Sequence, residues 1–375
     1  MKILLTANTM SIGGGGIERV VCNLANAFAE RGHEISIFAL HKEGADLSRL
    51  HSKDIQVKLS THRLGFKKPK NRWGKILREF LRLFITPLNA YLLYQCRRDF
   101  ENLICKENPD FIICNAPFNT LNKVIAKYKE RAVKIVHGAY EFHNNFHQDF
   151  SIFPHIVLLS SKELKSFQAK YPKSHFSIIP NFIPTIPKES TNHAQKIVLS
   201  VGRLVEEKGF SRLIEIWDLV QKNQAFREWK LHIVGEGGLE QELREQISAK
   251  NLNDSIILKP FTKEIEKEYL SASIYVMTSL YEGMPMVLLE ASSFALPSVA
   301  FDVNTGPSDI IEDSKTGFLI EDNALESFAK KLCVLMENQN LREQMGHAAK
   351  KRMQEKFSKE VIMEKWEELF ESLKA

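Results

Sequence analysis

The sequence predicts an α/β protein of two domains, each a parallel sheet covered by helices on both faces. Three observations carry this expectation. The length of 375 residues is about two domains at roughly 100–200 residues each, enough chain for two buried cores. Short β-rich apolar runs alternate with helical periodicity along the whole chain, the pattern of a parallel sheet with buried strands. That alternation lapses once, where Pro180, Pro184 and Pro187 stand in a polar stretch reaching Ala194, a linker signal. With 26% charged and 44% hydrophobic residues, the chain falls outside the disordered and low-complexity classes.

In chain order, the first strand is expected at 2–8. Met1-Lys2-Ile3-Leu4-Leu5-Thr6 turns polar at once and runs into glycines, so it reads as a core strand and lacks the long apolar run of a signal peptide. Further apolar runs predict strands at 34–40, 110–114, 133–137 and 156–160, with a helix at 17–31 between the first two. The second half repeats the scheme with strands at 196–202, 230–235, 255–259, 274–278 and 297–301 and helices at 211–222, 239–250 and 324–336. The expected domains are therefore 1–182 and 195–357, joined by a linker at 183–194. A last helix at 358–375 follows, and its periodicity leaves its packing partner open, the first domain included.

The formal net charge of +5 hides an asymmetry. Residues 1–190 carry 28 basic and 16 acidic side chains, and residues 191–375 carry 23 and 30. Halves of opposite sign suggest domains that meet different partners. Cys22, Cys96, Cys105, Cys114 and Cys333 form no C-x-x-C pair, which suits reduced thiols and a cytosolic address. The most apolar window, 81–94, contains Arg82, Pro87 and Asn89 and is shorter than the ~18 residues of a membrane span.

In open α/β sheets, ligands bind beyond the C-terminal ends of the strands, where loops enter helix N-termini. The first such loop holds Gly13, Gly14, Gly15 and Gly16 ahead of Ile17-Glu18-Arg19. It reads as a phosphate seat or as a plain strand–helix turn. It is not a dinucleotide fingerprint: one glycine register meets Glu18 and the other Arg19 where the third glycine belongs, and the second strand ends Phe38-Ala39-Leu40 without an acid for a ribose, which argues against a nicotinamide enzyme.

The second loop, Gly202-Arg203-Leu204-Val205-Glu206-Glu207-Lys208-Gly209, presents two cations five positions apart. They suit a departing diphosphate, or they pair with Glu206 and Glu207 on a solvated loop.

The third loop runs from Ser279 through Glu282, Gly283, Met284, Pro285, Met286 and Val287 to Glu290. With Pro285 as first helical residue, Glu282 stays in the loop and Glu290 falls in the second turn, about 7 Å along the axis. A nucleotide diphosphate could rest on the amides of Met286 and Val287, with Glu290 on the ribose hydroxyls and Glu282 toward the sugar. The plainer alternative is a surface glutamate on an amphipathic helix.

Taken together and in order, these residues resemble glycosyltransferase family 4, over nearly the whole chain. Gly15-Gly16-Ile17-Glu18-Arg19 resembles its first glycine loop, Gly202-Arg203 with Lys208-Gly209 its diphosphate-binding pair, and Val234-Gly235-Glu236-Gly237 its second-domain glycine turn. Glu282 and Glu290 resemble its E-x7-E motif, and Thr305-Gly306-Pro307-Ser308-Asp309 the turn that follows. Lys134-Ile135-Val136-His137-Gly138 resembles the strand end whose histidine lies beside the transferred sugar, and Ile178-Ile179-Pro180-Asn181 the entry to the linker. Two departures stand out: Lys259-Pro260-Phe261 lacks the usual glycine before Phe261, the expected wall of the base pocket, and Phe294-Ala295-Leu296-Pro297 has alanine where glycine is common.

The resemblance implies a GT-B fold, two Rossmann-like α/β domains facing each other across a cleft. It implies a retaining transfer of a hexose or N-acetylhexosamine from a nucleotide sugar, most often UDP-linked, held by the second domain, to a saccharide acceptor on the first. No nucleophile of the enzyme is obvious, so the leaving phosphate would help deprotonate the acceptor while Arg203, Lys208 and the helix N-terminus stabilise the leaving charge. No D-x-D occurs in the chain, and neither a cofactor nor a metal is expected, cations doing the neutralising. His143 and His147 stand at zinc-like spacing but without the adjacent glutamate of a metalloprotease, and are read as structural or solvent-facing.

Residues 63–98 carry Arg63, Lys67, Lys68, Lys70, Arg72, Lys75, Arg78, Arg82, Arg97 and Arg98 against Glu79 alone, with Trp73, Phe80 and Phe84 interleaved. This reads as a basic amphipathic surface for an anionic membrane, or as a core-packing helix with a solvated face. Nucleic acid has no supporting motif. The expectation is a bacterial enzyme on the cytoplasmic face of the inner membrane, acting on a lipid-linked acceptor in lipopolysaccharide, capsule or lipid-linked oligosaccharide synthesis. Its rivals are a sugar-nucleotide epimerase of the same architecture and a non-catalytic nucleotide-sugar-binding protein at the membrane surface.

Overall fold

A computed structural model describes residues 1–10, 16–42, 44–61, 72–115, 119–145 and 148–374, with residues 72–85 as backbone only. The chain divides into two compact units, the first made of Met1–Leu158 and Leu164–Ile178, the second of Leu159–Glu163 and Ile179–Ala375.

The first unit is built on seven parallel strands: β1 (Lys2–Ala7), β2 (Glu34–Ala39), β3 (Gln56–Leu59), β4 (Phe111–Cys114), β5 (Ala132–Val136), β6 (His155–Leu158) and β7 (His175–Ile178). Their order is β3-β2-β1-β4-β5-β6-β7. The central strands are the apolar runs of the sequence, and β4 and β5 are buried at every residue. Helix Gly16–Glu30 buries Val20, Val21, Leu24 and Phe28. Helix Arg72–Glu107 continues through Pro87 and buries Cys96, Phe100 and Ile104, four residues apart on one face, with Phe100 5.0 Å from Phe38.

The second unit holds six parallel strands: β8 (Ile197–Val201), β9 (Lys230–Val234), β10 (Ile256–Lys259), β11 (Ile274–Met277), β12 (Ser298–Phe301) and β13 (Gly317–Ile320), in the order β10-β9-β8-β11-β12-β13. Helices Phe210–Gln221 and Leu325–Glu337 cover it with Leu213, Ile214, Trp217, Phe328 and Leu332, all fully buried. Both sheets reverse strand order once, between β1 and β4 and between β8 and β11. Such reversals open a crevice beyond the strand ends.

The expected linker at 183–194 is part of the second unit. Phe182, Ile183, Thr191 and His193 are buried. Thr191 N donates to Phe294 O at 2.9 Å, Ile183 N to Phe357 O at 2.9 Å, and Arg342 Nε to His193 O at 3.0 Å. Prolines mark an extended path here, but apolar side chains between them tie that path down. The unit boundary accordingly falls at Ile178, ahead of the expected 182, and helix Lys359–Lys374 groups with the second unit.

Candidate active site

The second unit's crevice is assembled from the loops after β8 and β11. Beyond β8, a short turn Glu206–Lys208 ends in Gly209, whose φ of +62° is left-handed. A Cβ there would sit 2.0 Å from Thr278 O, so only glycine lets the two loops meet. Leu280 N donates to Glu207 O at 2.8 Å and Thr278 Oγ1 to Gly209 O at 3.0 Å. Arg212 binds the other loop through Nε to Thr278 O at 2.6 Å and through a second nitrogen to Ser279 O, while its guanidinium lies 4.2 Å over Phe301.

This pinning delivers Lys208 to Glu282. Nζ and Oε1 are 2.6 Å apart, with the two side chains only 22% and 10% exposed. Ser279 Oγ donates to the same oxygen at 2.7 Å, and Thr305 Oγ1 to Glu282 O at 2.6 Å. A shielded ion pair held by further hydrogen bonds has a defined geometry. It leaves two N–H donors of the ammonium for another anion.

Helix Met286–Ser293 opens beside this pair. Pro285 has ψ of 111° and caps the helix from outside, its carbonyl accepting from Leu288 N at 3.1 Å. The expectation that Pro285 is the first helical residue is therefore corrected by one position, because its extended ψ keeps it out of the helix. Met286 and Val287 remain at the N-terminus, where amides lack intrahelical acceptors and favour anions. Glu290 lies in the second turn, and Tyr269 Oη donates to its Oε2 at 3.0 Å. Tyr269 is fully buried and stacked on Phe294 at 5.4 Å. Gly283 precedes Met284, which is held by Asn181 Nδ2 donating to its carbonyl at 3.1 Å.

Gly235 follows β9 and donates to Lys259 O at 3.0 Å. A Cβ there would meet Gly202 O at 1.9 Å, so this glycine lets the ends of β8 and β9 close up. Phe261, beyond β10, is 41% exposed. Arg203 is exposed and loosely paired with Glu207 at 3.5 Å, a contact worth about 0–1 kcal/mol and easily given up. Lys208 and Glu282 thus pair across the two loops, Met286, Val287 and Glu290 follow on the helix after the second loop, and Arg203 stays exposed on the first. Tyr269 and Arg212 escape motif reading because each joins the site through contacts between elements, whereas Ser279 lies in the same loop as Glu282, three residues before it.

In the first unit, Gly16 opens its helix and Gly15 lies outside the described residues. His137 follows β5, half-buried, with Nε2 2.9 Å from Asn115 Oδ1. Burial, then Lys134 and His143, hold its imidazole well below the usual histidine range, hence neutral. His143 is buried, its Nδ1 2.7 Å from Gln148 Oε1 and its Nε2 accepting from Gly138 N at 3.3 Å. Both ring nitrogens are engaged within the protein, a structural role, and burial lowers its pKa to about 4. His147 lies outside the described residues. Among the described residues no group of three or more His, Cys, Asp or Glu is placed to hold a metal ion.

Of the basic stretch, Lys67, Lys68 and Lys70 lie outside the described residues. Arg72, Trp73, Lys75, Arg78 and Arg82 belong to helix Arg72–Glu107, their side chains outside the description. Further along it, Leu88, Tyr91 and Tyr94 are exposed. No described helix is long and apolar enough to cross a membrane.

Comparison with known proteins agrees with this fold. Residues 14–186 match the model of Glycosyltransferase Family 4, and residues 182–352 that of Glycosyl transferases group 1. An uncharacterized glycosyltransferase of Haemophilus influenzae is 30% identical over 371 residues, covering 95% of this chain and 97% of the relative. The amylovoran biosynthesis glycosyltransferase AmsD of Erwinia amylovora is 27% identical over 379 residues, covering 98% and 99%. A crystal structure of S. aureus TarM, a mutant in complex with Fondaparinux, alpha-GlcNAc-glycerol and UDP, superposes with a TM-score of 0.80 at 20% identity, covering 98% and 99%. Two parallel sheets with ligand crevices at their reversals define the GT-B architecture, and the chain belongs to the family 4 glycosyltransferases.

Proposed function

We propose that the protein is a retaining glycosyltransferase that moves a hexose or N-acetylhexosamine from a UDP-linked donor to a saccharide acceptor in bacterial surface-glycan synthesis. The observation that carries this reading is the Lys208–Glu282 pair at 2.6 Å, set beside a helix N-terminus at the reversal of the second sheet. A donor diphosphate would lie on the amides of Met286 and Val287 and against the free N–H groups of Lys208, with Arg203 swinging in from the rim. Glu290, steadied by Tyr269, would accept the ribose hydroxyls, and Phe261 would flank the base.

An acceptor hydroxyl attacks the anomeric carbon as the bond to the diphosphate breaks, and its proton passes to a phosphate oxygen. The departing charge is met by fixed cations and amides, the contribution that matters most when charge develops in the transition state. The same cations would take the neutralising role that a divalent metal otherwise fills.

UDP in the TarM complex and the amylovoran pathway of AmsD support the donor and product class by relationship. The acceptor is proposed to be lipid-linked, met at the cytoplasmic face of the inner membrane by the basic stretch 63–98. The reading is tested by incubating the enzyme with UDP-, GDP- and ADP-sugars and following turnover and the anomeric configuration of the released sugar by proton NMR. UDP-sugar turnover with the donor's configuration kept supports it. Inverted product, turnover of another nucleotide only, or an epimerised donor would refute it.

A further inference from the structure

The first sheet reverses between β1 and β4, and a buried amide sits at that reversal. Asn115, the residue after β4, is fully buried. Its backbone N donates to Thr6 Oγ1 on β1 at 3.2 Å, its Nδ2 to Ile113 O at 3.4 Å, and its Oδ1 lies 2.9 Å from His137 Nε2. These contacts fix the sense of the amide. Ile113 O only accepts, so the NH2 group faces it and the carbonyl oxygen faces the imidazole. An accepting Oδ1 requires a proton on Nε2, and a neutral imidazole then carries a lone pair on Nδ1. His137 is half-buried, and among the described residues no group hydrogen-bonds its Nδ1.

We propose that Asn115 is a positioning residue that holds His137 in the Nε2–H tautomer, so that Nδ1 accepts a hydrogen bond from a saccharide hydroxyl. The proposal rests on the glycosyl-transfer reading. It is specific to an amide: Asp in this place would favour imidazolium, which has no lone pair to offer. The charged and titratable groups facing the ring are Lys134 on β5 and His143 on helix Tyr140–Asn145, and both oppose its protonation. Asn115 therefore selects the tautomer while Lys134, His143 and burial keep the ring uncharged.

The test uses the full chain labelled with 15N-histidine, two-bond proton–nitrogen spectra, and the His137→Gln variant to assign the signal. Wild type is expected to show the neutral Nε2–H pattern from pH 8 to pH 5. In Asn115→Asp, His137 is expected to titrate inside that window, and donor turnover to fall more than tenfold toward its acid end while recovering toward its alkaline end. Asn115→Leu should lose the tautomer preference and turn over more slowly at every pH. An Nδ1–H tautomer in wild type, or an Asn115→Asp spectrum that does not titrate, would overturn the proposal. So would a pH profile of turnover unchanged in Asn115→Asp. A wild type that shows the expected tautomer yet binds no nucleotide sugar would refute the transfer reading and, with it, the task given to Nδ1.

Discussion

At the scale of single residues, the account turns on groups whose partners fix their chemistry. Lys208 is held at 2.6 Å from Glu282. Lys208→Ala removes a cation from the departing diphosphate and is expected to lower donor turnover by roughly 10²–10³-fold, measured as kcat on the best UDP-sugar. It also strands Glu282 in a shielded site, so a fall in Tm should accompany it. Tyr269→Phe deletes the hydroxyl that donates to Glu290 at 3.0 Å and keeps the ring on Phe294. Donor KM should rise about five- to tenfold, with a stability loss near 1 kcal/mol by denaturant titration. An unchanged KM would detach Glu290 from donor binding.

Two buried histidines make a pH prediction at the same scale. Burial lowers His143 and His193 to about 4, whereas an unfolded chain titrates near 6.5. Between those values the unfolded state binds more protons, so stability is complete above about pH 6.5 and declines as pH falls toward 4. Tm should therefore drop from pH 7 to pH 5, and His143→Gln should flatten that slope. A Tm that does not change over this interval would contradict the burial argument.

At the scale of elements, the interior strands were legible because burial on both faces demands continuous apolar runs, as in Phe111-Ile112-Ile113-Cys114 on β4. The strands that escaped notice, β3, β7 and β13, all lie at sheet edges. Gln56–Leu59 alternates exposed and half-buried residues, and such an edge strand has no apolar run to betray it, whereas β13 is apolar and largely buried but only four residues long. The residues of the candidate site divide in the same way. Lys208, Glu282 and Glu290 stand in local motifs that chain spacing can reveal, whereas Tyr269 and Asn115 reach their partners from other elements. Ala295, noted as replacing a usual glycine, has φ of +64°, the backbone reason for that preference. Gly209 supplies the test here. Gly209→Ala forces a Cβ to within 2.0 Å of Thr278 O at left-handed φ, and should destabilise the chain by about 2 kcal/mol or more while weakening donor binding. A variant with wild-type Tm and donor affinity would show that the two loops are not locked together there.

For the whole molecule, the net charge of +5 joins an acidic half, to which the donor is assigned under the proposed function, to a basic half whose excess concentrates in residues 63–98. That separation was legible from composition alone. The second unit's hold on residues 183–194 was not, because it depends on Arg342, about 150 residues away, binding His193 O. The basic stretch predicts salt-sensitive cosedimentation with phosphatidylglycerol vesicles, strong at low ionic strength and lost as screening shortens. Binding that ignores salt, or none at low salt, would remove the membrane from the account.

The central claim, that the crevice around Lys208, Glu282 and Glu290 holds a nucleotide sugar, is tested most directly by calorimetric titration of UDP-, GDP- and ADP-linked sugars into wild type, Lys208→Ala and Glu290→Gln. The account predicts one-site binding of a UDP-linked sugar to wild type, loosened at least tenfold in each variant. Absence of binding by every donor, or equal affinity in all three proteins, would contradict it.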